Sequence, residues 1–367
     1  MKLISIVFIA MIACFSFSQP SKGYYLSLPL TDSSKGLTDY YANYFPIGVA
    51  VSPEALRQEK EASLILKQFN SITPENAMKM GPVHPKENEY YWKDADAIVA
   101  FAERHGLKIR GHNLCWHEQT PKWFFTDDQG KLVTKEILLQ RLKEHITTVV
   151  GRYKGKVYAW DVVNEAIDDN PANFLRNSLF YQICGEDFII KAFEYAHAAD
   201  PDAILFYNDY NTERKEKTDR VYRLLKLLKE KAVPVHAVGL QAHWNIFEPS
   251  KEELEYAIQK FASLGLQIQF TELDMSVYPW EKEKRQKFAS DDDRFTQQRE
   301  QLQAEKYKML FEIFRRYKQY ITGVTFWNIS DRHTWLDNYP VPGRKNYPLL
   351  FDINLQPKKA YTEVVRF

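Results

Sequence analysis

Cysteine is scarce in this chain: three in 367 residues, Cys14, Cys115 and Cys184. That is too few for a disulfide-held scaffold, which needs several bridges to replace a core. Cys115 and Cys184, the two beyond the leader described below, read as buried free thiols, with a pair formed in an oxidising compartment as the alternative. Surplus charge is also missing, since 49 basic and 48 acidic residues leave +1. A nucleic-acid or anionic-membrane binder carries a basic excess, so a neutral ligand is expected. No apolar run reaches the ~20 residues of a membrane-spanning helix. No glycine-rich loop follows the first predicted strand, which argues against a nucleotide-binding sheet. No metal-ligand spacing is visible, and no metal or cofactor is expected. Nothing resembling an internal repeat or a Ser/Pro/Gly linker divides the chain.

What is present is apolar and aromatic. A hydrophobic fraction of 45% supplies one large core or two modest ones. An aromatic fraction of 14% is high. Most of it belongs in a core, but aromatic faces also stack on the C–H groups of sugar rings. At the N-terminus, Lys2, the apolar run from Leu3 to Ala13 and the small-x-small Ser16-Phe17-Ser18 read as an export signal over residues 1–18. A lipid-modified Cys14 is the alternative, and the preceding Met11-Ile12-Ala13 fits that pattern poorly. Residues 19–40 read as an extension and 41–367 as one catalytic domain.

Strand and helix patterns alternate along that domain. Candidate strands are 45–51, 68–73, 108–113, 156–164, 203–208, 236–242, 267–272 and 321–328. Between them, Leu138/Leu142/Ile146/Val149, Phe188/Ala192/Phe193/Ala196, Val221/Leu224/Leu225/Leu228 and Leu310/Ile313/Phe314/Tyr317 recur at helical spacing. Eight strands alternating with helices predict an α/β fold, a single (β/α)8 TIM barrel with long βα loops forming a cleft. A doubly wound open sheet is the competitor. The charged stretch 281–299 reads as a solvated loop leading into a helix.

The polar residues collect where strands end. Trp160-Asp161-Val162-Val163-Asn164-Glu165-Ala166 and Thr271-Glu272-Leu273-Asp274 are apolar runs that finish in carboxylates, where charge is costly. Taken singly, each Glu fits a structural ion pair. Other strand ends, however, carry Glu75, Asn76 and Lys79; His112, Asn113 and Trp116; Asn208 to Asn211; Gln241 and His243; and Trp327, Asn328 and Trp335. The rim of a barrel active site accounts for all of them together. Two carboxylates suit glycosidic cleavage, one as acid and one at the anomeric carbon. Asn164 is placed to bond a sugar 2-hydroxyl. His243, oriented by Asp274, is placed to keep the neighbouring carboxylate ionised. Lys79, Asn76 and Glu75 suit hydroxyls further from the cut, and Trp116, Trp327 and Trp335 the cleft walls.

From Gly48 to the C-terminus the chain resembles glycoside hydrolase family 10, the endo-β-1,4-xylanases. The resemblance is carried by residues 69–79, His112-Asn113-Leu114-Cys115-Trp116-His117, 160–166, Tyr207-Asn208-Asp209-Tyr210-Asn211, Gly239-Leu240-Gln241-Ala242-His243, 271–274 and 327–335. It implies a retaining double displacement on xylan, with Glu165 as acid/base and Glu272 as nucleophile. His243 and Asp274 then support the nucleophile. Glu75, Asn76, Lys79, His112, Trp116, Asn164, Gln241, Trp327 and Trp335 match glycone-side sugar contacts, and Tyr210 and Asn211 lie toward the aglycone. One departure stands out: the family often has glycine where this chain has Asn328. A β-1,4-glucanase or mixed β-glycosidase on the same barrel is the second reading. A non-catalytic xylan-binding protein is the third. Xylan and xylo-oligosaccharides are the expected partners, with the chain a monomer.

Overall fold

The computed structural model describes residues 34–281 and 283–367. Nine strands form one parallel sheet: β1 (Ile47–Val51), β2 (Ser71–Pro74), β3 (Lys108–Trp116), β4 (Val157–Asn164), β5 (Ile204–Asp209), β6 (Ala237–Leu240), β7 (His243–Asn245), β8 (Gln267–Ser276) and β9 (Ile321–Phe326). The order is β6-β5-β4-β3-β2-β1-β9-β8, and a β6–β8 pairing closes it. Eight strands therefore make the barrel. β7 is an extra strand laid along the C-terminal half of β8. The helices are α1 (Leu37–Tyr40), α2 (Pro53–Arg57), α3 (Glu59–Gln68), α4 (Met80–Val83), α5 (Lys93–His105) and α6 (Lys135–Arg152). They continue with α7 (Leu179–Cys184), α8 (Asp187–Ala199), α9 (Lys215–Glu230), α10 (Lys251–Ala262), α11 (Gln297–Arg316) and α12 (Lys359–Val365).

The periodic stripes explain how the helices pack. Leu138, Leu142, Ile146 and Val149 of α6 are fully buried, as are Ala192, Phe193 and Ala196 of α8. Helix ends are set locally. Ser250 opens α10 with a capping box, accepting from the Glu253 N–H at 3.2 Å while Glu253 accepts from the Ser250 N–H at 2.8 Å. The barrel interior is polar as well as apolar. Arg110 of β3 stacks on Phe206 of β5 at 4.8 Å, and Gln269 of β8 reaches the Tyr158 hydroxyl of β4 at 3.3 Å. These strands are not sheet neighbours, so the side chains meet across the inside. Arg110 and Asp161, both fully buried, form a two-pronged ion pair there. Removing either partner would strand a buried charge, at a cost of about 3–5 kcal/mol.

The expected strands are all present, with shifted ends. The sixth predicted strand breaks at Ala242, whose φ of 66° interrupts the ladder, and restarts as β7. That restart sets His243 opposite Asp274. The third and seventh run further than expected, to Trp116 and Ser276, and the eighth stops at Phe326, before Trp327 and Asn328. Residues 37–40, read as extension, belong to the barrel body: Leu37 is buried and its N–H donates to Gln68 Oε1 at 2.9 Å. The export signal, Cys14 and most of the extension lie outside the described residues. The charged stretch has no buried residue among those described, as expected of a solvated loop, and it is also cross-tied. Arg285 pairs with Glu281 at 2.6 Å and Asp291 at 2.8 Å, and Lys287 donates to the Gly343 carbonyl at 3.2 Å, which ties the loop to the one after β9. Cys115 and Cys184 are buried and free.

Candidate active site

In a parallel barrel every strand delivers its last residues to one face. Here β4 delivers Asn164 and Glu165, β5 Asn208 and Asp209, β6 Gln241, β8 Glu272 and Asp274, and β9 Trp327 and Asn328. Glu165 follows β4 with a φ of 58°, a left-handed turn that few non-glycine residues adopt. Its backbone is held on both sides, its N–H by Asn208 O at 2.9 Å and its carbonyl by Arg176 Nε at 3.1 Å. The carboxylate accepts from Trp116 Nε1 at 2.8 Å, Gln241 Nε2 at 2.8 Å and Asn164 Nδ2 at 3.1 Å.

Glu272 sits within β8 and is 4% exposed. It accepts from Asn208 Nδ2 at 2.8 Å and faces His243 Nε2 at 3.2 Å. The other ring nitrogen, Nδ1, faces Asp274 Oδ2 at 3.0 Å, and the Trp335 indole donates to the same oxygen at 2.7 Å. Asn208 also donates to Asn164 Oδ1 at 2.8 Å and accepts from Thr271 Oγ1 at 2.6 Å. Room for it comes from Gly239 on β6: a Cβ there would lie 2.2 Å from Asn208 Oδ1.

The environment separates the two acids. Burial lifts the Glu165 pKa to about 7, helped by the charges of Asp209 and Glu272 and partly offset by the Gln241 and Trp116 hydrogen bonds. Burial pushes Glu272 upward as well. There His112, His243 and Lys79 outweigh it and bring the carboxyl down to about 2. For His243 burial opposes the charge, but Asp274 and Glu272 prevail and raise its pKa to about 10. At neutral pH the site therefore holds an ionised Glu272 against an imidazolium, and a Glu165 near half-protonation. Two acids driven apart in pKa can divide acid and nucleophile work.

The remaining predicted residues fall around this pair. His112 is oriented by Asp161 at 2.8 Å and meets the Trp327 ring edge-on at 5.2 Å. Lys79 Nζ lies 5.1 Å from the Trp116 ring and 5.9 Å from Trp327, and donates to exposed Asn76 at 2.9 Å. Burial lowers the Lys79 pKa against the pull of Glu272 and Glu75, and raises that of Glu75 against the pull of Lys79 and Asn328. Tyr210 stands apart. Its hydroxyl accepts from Arg176 at 2.9 Å and donates to Asp169, and its ring covers Lys217 Nζ at 3.8 Å. Asn211 is half-buried with a φ of 54°, and its carbonyl takes the Arg214 N–H at 3.1 Å.

Sequence reasoning set Asn208 on the rim and Asp161 and Gly239 within the family-like motifs, but gave none of them, nor Arg110 or Arg176, a specific role. For Arg110 and Asp161 a signal existed: charged residues inside apolar strands, Arg110 two positions before His112. Arg176 lies in a loop where no pattern marks it. Among the described residues no cluster of His, Cys, Asp and Glu is arranged to hold a metal ion, and no helix is long and apolar enough to cross a membrane.

Comparison with known proteins gives relatives along nearly the whole described chain. The family model described as glycosyl hydrolase family 10 matches residues 36–367. A β-1,4-xylanase of Dictyoglomus thermophilum is 50% identical over 343 residues, covering 92% of this chain and 94% of the relative. Endo-1,4-β-xylanase B of Paenibacillus barcinonensis is 47% identical over 329 residues, covering 90% and 97%. Among solved structures, xylanase XynB from Paenibacillus barcinonensis, complexed with a conduramine derivative, superposes with a TM-score of 0.87 at 45% identity, covering 91% of this chain and 99% of that one. The endo-1,4-β-xylanase from Caldicellulosiruptor owensensis gives 0.86 at 46% identity, covering 91% and 100%.

Proposed function

The chain belongs to glycosyl hydrolase family 10, and from that membership and the site we infer an endo-1,4-β-xylanase that cleaves internal β-1,4-xylosidic bonds of xylan. The observation that carries the residue assignment is a pair of buried carboxylates in different surroundings, Glu272 between the Asn208 amide and the His243 imidazole, Glu165 among Trp116, Gln241 and Asn164. Glu272, ionised beside His243, attacks the anomeric carbon. Glu165 gives its proton to the leaving oxygen. A covalent glycosyl-enzyme results, with the carboxylates expected roughly 5–5.5 Å apart as retention requires. Esterification then neutralises Glu272. Since the Glu272 charge is one of the forces raising the Glu165 pKa, its loss lowers that pKa: Glu165, already a carboxylate after giving up its proton, stays ionised and takes a proton from the incoming water as that water displaces Glu272 from the anomeric carbon. Glu75, Asn76, Lys79, His112, Trp116, Asn164, Gln241, Trp327 and Trp335 are assigned to the sugar on the glycone side, Tyr210 and Asn211 to the aglycone side.

Export through residues 1–18 and a monomeric state are part of the same proposal. The first rests on the Lys2, apolar-run and Ser16-Phe17-Ser18 pattern. An N-terminus at Gln19 in the exported protein tests it, and sedimentation tests the second. The deciding experiment for function incubates the protein with xylan and, separately, carboxymethyl cellulose, and sizes the products over time. Xylo-oligosaccharides of several lengths appearing early on xylan alone support the reading. Products on carboxymethyl cellulose in preference move a β-1,4-glucanase ahead of it, and binding without product on either polymer favours a non-catalytic sugar-binding protein.

A further inference from the structure

Asn328 carries two costs at one position. Its φ of 114° lies where glycine is at ease and side chains are strained. Its side chain is also buried, 4% exposed, with an Nδ2 that makes no hydrogen bond of normal geometry. A buried amide donor left unmet is destabilising. Glycine would remove both costs, and the one return the structure shows for the asparagine is its contact with Glu75. Strain and an unmet donor together, at the C-terminal end of a barrel strand, point to a ligand.

The surroundings say what kind. Asn328 follows Trp327, whose ring lies 5.9 Å from Lys79 Nζ. Its side chain sits against the half-buried Glu75, close enough to favour the ionised form of that carboxyl. An amide N–H beside a carboxylate offers one donor and one acceptor. A sugar hydroxyl accepts one hydrogen bond and donates one. We propose that Asn328 is a substrate-binding residue of the glycone side, its Nδ2 donating to a xylose hydroxyl that in turn donates to Glu75. The proposal rests on the xylanase reading above.

The test is kinetic. Wild type and Asn328→Gly are compared on an aryl β-xylobioside and on versions of it that each lack one hydroxyl, with thermal melting in parallel. On the parent compound Asn328→Gly should lower kcat/KM three- to tenfold, the scale of one neutral hydrogen bond. Its melting temperature should hold or rise, because strain is released. One deoxy compound should be poor for wild type and lose less, relative to the parent, for Asn328→Gly, in which that hydroxyl keeps only Glu75. Asn328→Asp, which sets a second carboxylate against Glu75, should lose more at neutral pH and recover as the pH falls. Wild-type kcat/KM retained within twofold in Asn328→Gly overturns the proposal, and so does equal sensitivity of both proteins to every deleted hydroxyl. Failure of the wild type to cleave xylan would instead overturn the xylanase reading.

Discussion

Asn208 donates to Glu272 at 2.8 Å, and the same nitrogen donates to Asn164 Oδ1 at 2.8 Å. One buried amide thus joins the ends of β4 and β8, the two strands that present the proposed catalytic acids. Gln241 closes the network from β6 by donating to Glu165 at 2.8 Å. Each carboxylate is fixed by partners that are themselves fixed, so little reorganisation remains when a sugar binds.

Removing that joint should cost turnover before it costs folding. Asn208→Ala deletes a donor to Glu272 and leaves Thr271 Oγ1 without its acceptor. Gly239→Ala reaches the same place from behind, by driving a Cβ into the space Asn208 Oδ1 occupies. Both variants should lose about 10–100-fold in kcat on xylan, with roughly 1–3 kcal/mol of stability. Urea melts and initial rates measure the two effects separately. Full activity in both variants would show that the bridge is not needed.

The pH profile follows from the two shifted acids. Glu272 must be ionised, so kcat/KM should rise with pH through about 2, wherever the fold survives. Glu165 must be protonated, so activity should fall as pH rises through about 7. Glu165→Ala should erase the alkaline limb. It should also lose about 10²–10⁴-fold on xylan while keeping most glycosylation activity on a dinitrophenyl xylobioside, whose leaving group needs no proton. An alkaline limb that persists in Glu165→Ala would assign it to another group.

Most of this architecture was legible in the residues themselves. Eight apolar runs alternating with helical stripes specified the barrel, and Asn164-Glu165 and Glu272 stood out because charge at a buried strand end is costly. What escaped was set by contacts across the barrel. Nothing local to Asn208 announces that it bridges two strands, or that Gly239 is small on its behalf. The break at Ala242 escaped too. Alanine carries no propensity for a φ of 66°, and only the pairing of His243 with Asp274 across β7 and β8 makes that conformation worth its strain. Asn328 was visible as a departure from glycine, but its unmet donor was not.

The covalent chemistry proposed at Glu272 predicts a rescue. Glu272→Ala should lose about 10⁴-fold or more of its xylan turnover, the scale seen when a nucleophile is deleted. Azide, small and anionic, fits the space vacated beside His243. With an activated aryl xylobioside it should restore turnover and form the α-xylobiosyl azide, inverted because one displacement replaces two. Proton NMR of the product gives the anomeric configuration. A β-azide, or rescue at Glu165→Ala with an α-product, would exchange the two roles.

Stability should respond to the two acids with opposite sign. The Glu165 pKa is about 7 in the folded chain against an ordinary 4.5. Below pH 4.5 the group is protonated whether folded or not. Between 4.5 and 7 only the folded state keeps the proton, so stability declines with rising pH, and above 7 the full penalty remains. Glu165→Gln has no charge to bury. It should match wild type near pH 4 and exceed it above pH 7, by roughly 3 kcal/mol. Glu272 is depressed to about 2, so its ionised form contributes stability that is present above 4.5 and lost as pH falls toward 2. His243, raised to about 10 from 6.5, contributes stability that is present below 6.5 and lost as pH rises toward 10. Glu272→Gln should therefore be less stable than wild type at pH 6, where both contributions operate. Denaturant melts of the two variants at pH 4, 6 and 8 settle the matter. If Glu165→Gln gains nothing at pH 8, the strand end of β4 is not holding its carboxylate at a cost, and the basis for its role as a proton donor near neutral pH is gone.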